Sequence, residues 1–113
     1  MKARTIASIA LAVLASGVMH DAAARGNAEA GKRKAAQTCA ACHGADGAKP
    51  SAPDQPILAG QYADYLRRAL TDYKIGGRSN PIMKGFAAQL SKQDIEDLAA
   101  WFASQQSVLH DQR

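Results

Sequence analysis

Two cysteines three positions apart, with a histidine directly after the second, constrain this chain more than any other feature: Cys39-Ala40-Ala41-Cys42-His43. C-x-x-C-H is the attachment pattern of a covalent haem. Two thiols add across the two vinyl groups of the porphyrin, and the two residues between them set the sulfur spacing along one turn. The adjacent imidazole is thereby carried onto the iron as proximal ligand, and axial ligation sets what the iron can do. Attachment needs reduced thiols at assembly, so export to an oxidising compartment does not argue against the pattern. Three other chemistries compete for the same residues. A thioredoxin-like dithiol needs a βαβ setting, of which the sequence gives no sign. A structural zinc site wants four nitrogen or sulfur ligands, for which there are Cys39, Cys42, His43 and the distant His110. A plain disulfide between the two cysteines closes so small a loop that it staples little of a fold.

The N-terminus has the layout of a secretory leader. Lys2 and Arg4 precede an apolar stretch from Ile6 to Leu14, and Ala22-Ala23-Ala24 supplies small residues for cleavage. The uncharged run is short for a hydrocarbon layer of about 30 Å, which wants about 20 apolar residues. The expected organisation is therefore a signal peptide over 1–24, a single domain over 25–113, and a periplasmic location. Retention of the leader as an uncleaved anchor is the alternative. Cleavage leaves 89 residues, a size at which a core alone gives a thin stability margin. A bound cofactor is the natural missing part of such a core. The mature stretch carries twelve Lys and Arg against nine Asp and Glu, scattered except at Lys32-Arg33-Lys34. Its aromatics do not interleave with a basic stripe, which argues against nucleic-acid binding.

Helical periodicity dominates, and the expected fold class is all-α. Residues 27–37 predict a first helix with Asn27 as N-cap and a narrow face of Ala28, Gly31 and Ala35 that admits close approach of another helix. Residues 44–56, rich in Gly, Pro, Asp and Ser, predict a loop. Residues 61–74 predict a second helix, with Tyr62, Tyr65, Leu66, Ala69, Leu70 and Tyr73 at three- and four-residue spacing. Gly76-Gly77 ends it. A loop over 78–85 around Pro81 and a short helical piece over 86–90 are expected next. Ser91 and Asp94 then form an Asp variant of the capping box, opening a last helix to about Val108 with Ile95, Leu98, Trp101 and Phe102 as its apolar stripe.

Met83 is the one methionine beyond the leader, since Met1 and Met19 fall within it. A lone methionine is ordinarily core filler, but Met83 follows Pro81 closely in a Gly- and Asn-containing segment forty residues beyond His43. Such a segment can hold a thioether opposite the imidazole, where methionine raises the potential. His110 is the other candidate and stands near a chain end.

The ordered set of motifs resembles a class I cytochrome c, and within it the small bacterial c553-type proteins and the single domains of dihaem cytochrome c4. The residues that carry the resemblance are His43-Gly44, then Pro56-Ile57-Leu58-Ala59-Gly60-Gln61, Tyr65-Leu66, and Gly77-Arg78-Ser79-Asn80-Pro81-Ile82-Met83. Ile57 departs from an Asn common in relatives, and Ala35 from a bulkier residue. The resemblance implies helices wrapped around one haem c on Cys39 and Cys42, with His43 proximal and Met83 distal. It also implies that the Pro56 carbonyl accepts from the proximal ring and that Leu58 packs on the haem. Arg78 falls near the propionates, and Trp101 at the crossing of first and last helices. Haem iron is the one metal expected.

Ile57, Leu58, Leu66, Leu70, Tyr73, Ile82 and Phe86 are the expected haem lining, each of them also an ordinary core residue. With both axial positions filled there is no open site for oxygen or peroxide. The expected function is then one-electron shuttling between redox proteins, a membrane or periplasmic oxidoreductase and a terminal acceptor, by a monomer that is not an enzyme. Such transient interfaces tend to lie below about 1,200 Å². The alternatives are an electron-relay subunit of an oxidoreductase acting on sulfur compounds or alcohols, and a ligand-binding haem sensor.

Overall fold

Two short side chains start the terminal helices, and those helices form the frame of the molecule. The computed structural model describes residues 26–106, so the expected leader, Val108 and His110 lie outside the described residues. Helix α1 (Ala28–Thr38) begins where the Asn27 side chain accepts the N–H of Ala30 at 3.0 Å, satisfying one of the donors a helix start leaves orphaned. Helix α5 (Lys92–Ala103) begins with the expected box: Ser91 Oγ accepts from the Asp94 N–H at 3.0 Å, and Asp94 Oδ2 accepts from the Ser91 N–H at 2.9 Å.

The two helices cross at Gly31. A Cβ there would lie 2.0 Å from the Asp97 carbonyl oxygen and 2.8 Å from Trp101 Cβ, so only hydrogen fits. The buried Asp97 carboxylate fastens the crossing, accepting on Oδ1 from the Asn27 N–H at 2.7 Å and from Gln93 Nε2 at 2.8 Å. Lys34 reaches Asp94 at 3.3 Å across the same pair of helices.

Between the frame helices lie α2 (Ala40–His43), α3 (Ala63–Ile75) and α4 (Pro81–Ala88), and every regular element among the described residues is helical. Helix α3 packs on α4 and α5. Ala35, Leu66, Leu90, Ile95, Leu98, Ala99 and Phe102 form the buried core. No helix among the described residues is long and apolar enough to cross a membrane.

Three expectations are corrected. The segment expected as a loop over 78–85 is helical from Pro81, and Met83 stands in its first turn. Asn80 accepts the N–H groups of Ile82 and Met83, and Pro81 at the first helical position lacks the N–H that would otherwise be orphaned. The loop-like composition is thus the composition of a helix start. The expected helical piece over 86–90 is the end of this same helix, which stops at Ala88. Helix α5 stops at Ala103, not near Val108, where the N–H groups of Ser104 and Gln105 turn back to the carbonyls of the last turn.

Candidate functional site

The cysteine–histidine pentad straddles the junction of α1 and α2. Cys39 ends α1, and its carbonyl accepts from the N–H groups of Cys42 at 3.2 Å and His43 at 3.0 Å. One tight turn therefore presents both sulfurs and the ring to the same cleft. Both cysteines are free and partly buried. Burial and the neighbouring Cys42 push the Cys39 thiol up to about 11, against the opposing pull of Lys34.

His43 is buried, and its Nδ1 lies 3.0 Å from the carbonyl oxygen of Pro56. With Nδ1–H donating to that carbonyl, Nε2 is left with its lone pair, the arrangement that orients an imidazole as a metal ligand. The loop before Pro56 is organised to place the acceptor. Gln55 Oε1 accepts from the Ser51 N–H, the Ser51 hydroxyl and the Ala52 N–H at 2.9–3.0 Å. Ser51 N–H in turn donates to the Cys42 carbonyl at 2.9 Å.

The cleft has a volume of about 290 Å³, far more than a single ion or water needs. Every residue expected at the site lines it: Cys39, Cys42, His43, Pro56, Leu58, Tyr65, Leu66, Tyr73, Arg78, Ile82, Met83 and Phe86, together with Ile57 and Leu70. Tyr65, Ile82 and Phe86 stay 48%, 68% and 41% exposed, so the chain does not bury this wall by its own packing. Large apolar side chains facing a cleft that holds paired thiols and an oriented imidazole fit a flat apolar group tethered through sulfur. Among the described residues no cluster of three His, Cys, Asp or Glu is arranged to hold a separate metal ion.

Sequence reasoning missed several lining residues. Leu98, Ala99 and Phe102 of α5 form the cleft floor; the apolar stripe marked Leu98 and Phe102 as buried, with no indication that a cofactor cavity lay on one side. Asn80 also lines the cleft, and the Asn-Pro pair at a helix start was the available signal. Arg78 donates through Nη2 to the Tyr65 hydroxyl at 3.2 Å. That bond first, with lesser help from the adjoining tyrosines and Asp72, raises its already high pKa against an opposing desolvation.

Fold and cleft together define a small helical domain made to hold a covalently tethered prosthetic group. Residues 28–106 match the cytochrome c family. The chain is 46% identical over 102 residues to cytochrome c4 of Pseudomonas aeruginosa, covering 90% of this chain and 48% of that protein. It is 43% identical over 84 residues to cytochrome c-554(548) of Halomonas halodenitrificans, covering 72% of this chain and 99% of that one. The crystal structure of reduced recombinant cytochrome c4 from Pseudomonas stutzeri superposes with a TM-score of 0.66 at 45% identity, over 73% of this chain and 47% of that one. A protein of Stutzerimonas stutzeri named thiosulfate dehydrogenase electron acceptor is 46% identical over 72 residues, 64% of this chain and 33% of its own. The chain belongs to the cytochrome c family, and its cofactor is a covalently attached haem c. It spans about half the length of the cytochromes c4 it matches.

Proposed function

We propose that this protein is an exported, periplasmic one-electron carrier and not an enzyme, with its haem bonded to Cys39 and Cys42 and its iron held by His43 and Met83. The observation that carries the reading is the His43–Pro56 bond at 3.0 Å beside both sulfurs, in a cleft that Met83 also lines. Each thiol adds across one vinyl double bond, sulfur to one carbon and hydrogen to the other, without net oxidation. When bound, the haem supplies an Fe(III)/Fe(II) couple. The protein's part is to supply the same two ligands in both oxidation states, to exclude water with its apolar walls and to leave no coordination position for substrate. The basic leader followed by an apolar run supports export.

Absorption spectra of the purified protein in both redox states test the ligation. Met83→Ala is expected to keep the haem but lose the near-infrared iron–methionine band, lower the potential and admit exogenous ligands. Unchanged spectra and potential would remove Met83 from the iron.

The likeness to a protein named as an electron acceptor of thiosulfate dehydrogenase favours one particular donor class, an oxidoreductase acting on sulfur compounds. Mixing the oxidised protein with a thiosulfate dehydrogenase and thiosulfate tests it. Rapid reduction supports that donor, and a rate no faster than with thiosulfate alone rejects it.

A further inference from the structure

Arg78 stands in the connector between α3 and α4, and its position is fixed by more contacts than an exposed arginine ordinarily makes. Gly76, with φ of +89°, turns the chain back at the end of α3; a left-handed residue of this kind is a common helix stop. The Arg78 N–H then donates to the Asp72 carbonyl at 3.2 Å. Its guanidinium carbon lies 5.2 Å from the Tyr73 ring centre and 5.8 Å from that of Tyr65, while Nη2 donates to the Tyr65 hydroxyl at 3.2 Å. Two residues on, Asn80 Oδ1 accepts from the backbone N–H of Met83 at 3.0 Å. These contacts fix Arg78 to α3, and two residues further along the same short connector Asn80 holds the backbone of the residue that bears the thioether.

Helix α4 packs on α3, but shallowly. It is eight residues long and buries Ala87 alone, while Ile82 is 68% exposed. Arg68 offers an internal contrast on α3: its side chain is 84% exposed and meets Asp72 at 3.9 Å, one turn away on its own helix.

We propose that Arg78, clamped by Tyr65 and Tyr73, is a positioning residue that sets how readily the Met83 thioether yields its place on the iron to a foreign ligand. The inference rests on Met83 as distal ligand. Two exposed cation–π contacts and one hydrogen bond are together of the size that moves such an equilibrium about tenfold.

Imidazole titration of the oxidised holoprotein, with the iron–methionine band recorded alongside, provides the test. Arg78→Gln is expected to bind imidazole about tenfold more tightly, and Arg78→Lys to fall between it and wild type. Tyr65→Phe, which keeps ring and charge, is expected to gain about threefold. Arg68→Gln is expected to leave the affinity unchanged. Wild-type affinity in Arg78→Gln, even with an altered potential, would overturn the clamp, as would an equal gain in Arg68→Gln. Where Arg78→Gln fails to mature, Tyr65→Phe decides: a threefold gain supports the clamp and no gain overturns it. Met83→Ala separates the two levels. Retention of the band there brings down both ligation and clamp. Loss of the band there, with unaltered imidazole affinity in Arg78→Gln, brings down the clamp alone.

Discussion

Asp97 shows how much a single carboxylate can hold in a domain of this size. It is 9% exposed and binds the backbone of one frame helix from within the other. Asp97→Ala removes the charged acceptor of the Asn27 N–H and of Gln93, and a hydrogen bond to a charged group is worth about 1.5–3 kcal/mol; urea unfolding of the holoprotein is expected to show that loss. Asp94 contributes differently. The Ser91 backbone N–H first, then its hydroxyl and Lys34, hold the Asp94 carboxyl below its ordinary value of 3.8, against an opposing penalty from burial. A depressed folded-state value means that its stabilisation is complete above the unfolded value and disappears as pH falls through the folded one. Asp94→Ala is therefore expected to be destabilised near neutrality by about 1 kcal/mol, and this difference is expected to shrink as the pH drops below 3.8. Thermal midpoints of both proteins at several pH values check it. The candidate site residues were legible in the sequence because Cys39, Cys42 and His43 are adjacent and Met83 is the one methionine after residue 24. The Gln55 contacts behind Pro56 were not legible, since a loop glutamine carries no periodic signal.

At the scale of elements, two glycines have opposite consequences. Gly31→Ala drives a methyl group into the backbone of α5, and overpacking of that kind costs about 3 kcal/mol; a thermal midpoint well below wild type is expected. Gly85 lies inside α4, and an added Cβ would meet no atom of the chain within 4 Å. Gly85→Ala is expected to stabilise the helix by about 1 kcal/mol, read as a rise of a few degrees in the holoprotein midpoint. The frame helices were readable because their caps, Asn27 and the Ser91–Asp94 pair, are local and unambiguous. Helix α4 was misread because Asn, Pro and Gly serve loops and helix ends alike, and only the direction of the Asn80 side chain distinguishes them. The end of α5 was misread because Ser104-Gln105-Gln106 holds no Gly or Pro to mark a stop after Ala103.

For the whole molecule, the wall of Tyr65, Ile82 and Phe86 is underpacked unless the cofactor covers it. A Cys39→Ser, Cys42→Ser double variant made without covalent haem is expected to lose cooperative unfolding and to bind a hydrophobic dye while retaining helical far-ultraviolet signal, as loosely packed compact states do. A sharp unfolding transition with no dye binding would contradict that expectation. The frame itself has a temporal consequence. Its crossing joins Gly31 to Asp97 and Trp101, residues made near the beginning and the end of the domain, and such distant pairing is slow to form. The buried face of α1 at that crossing is built from Gly31 and Ala35, so the helix has no large apolar side chain with which to dock anywhere but on its partner. The cleft floor of Leu98, Ala99 and Phe102 belongs to that same late partner, so the cofactor's site is complete only when the two ends of the domain have met.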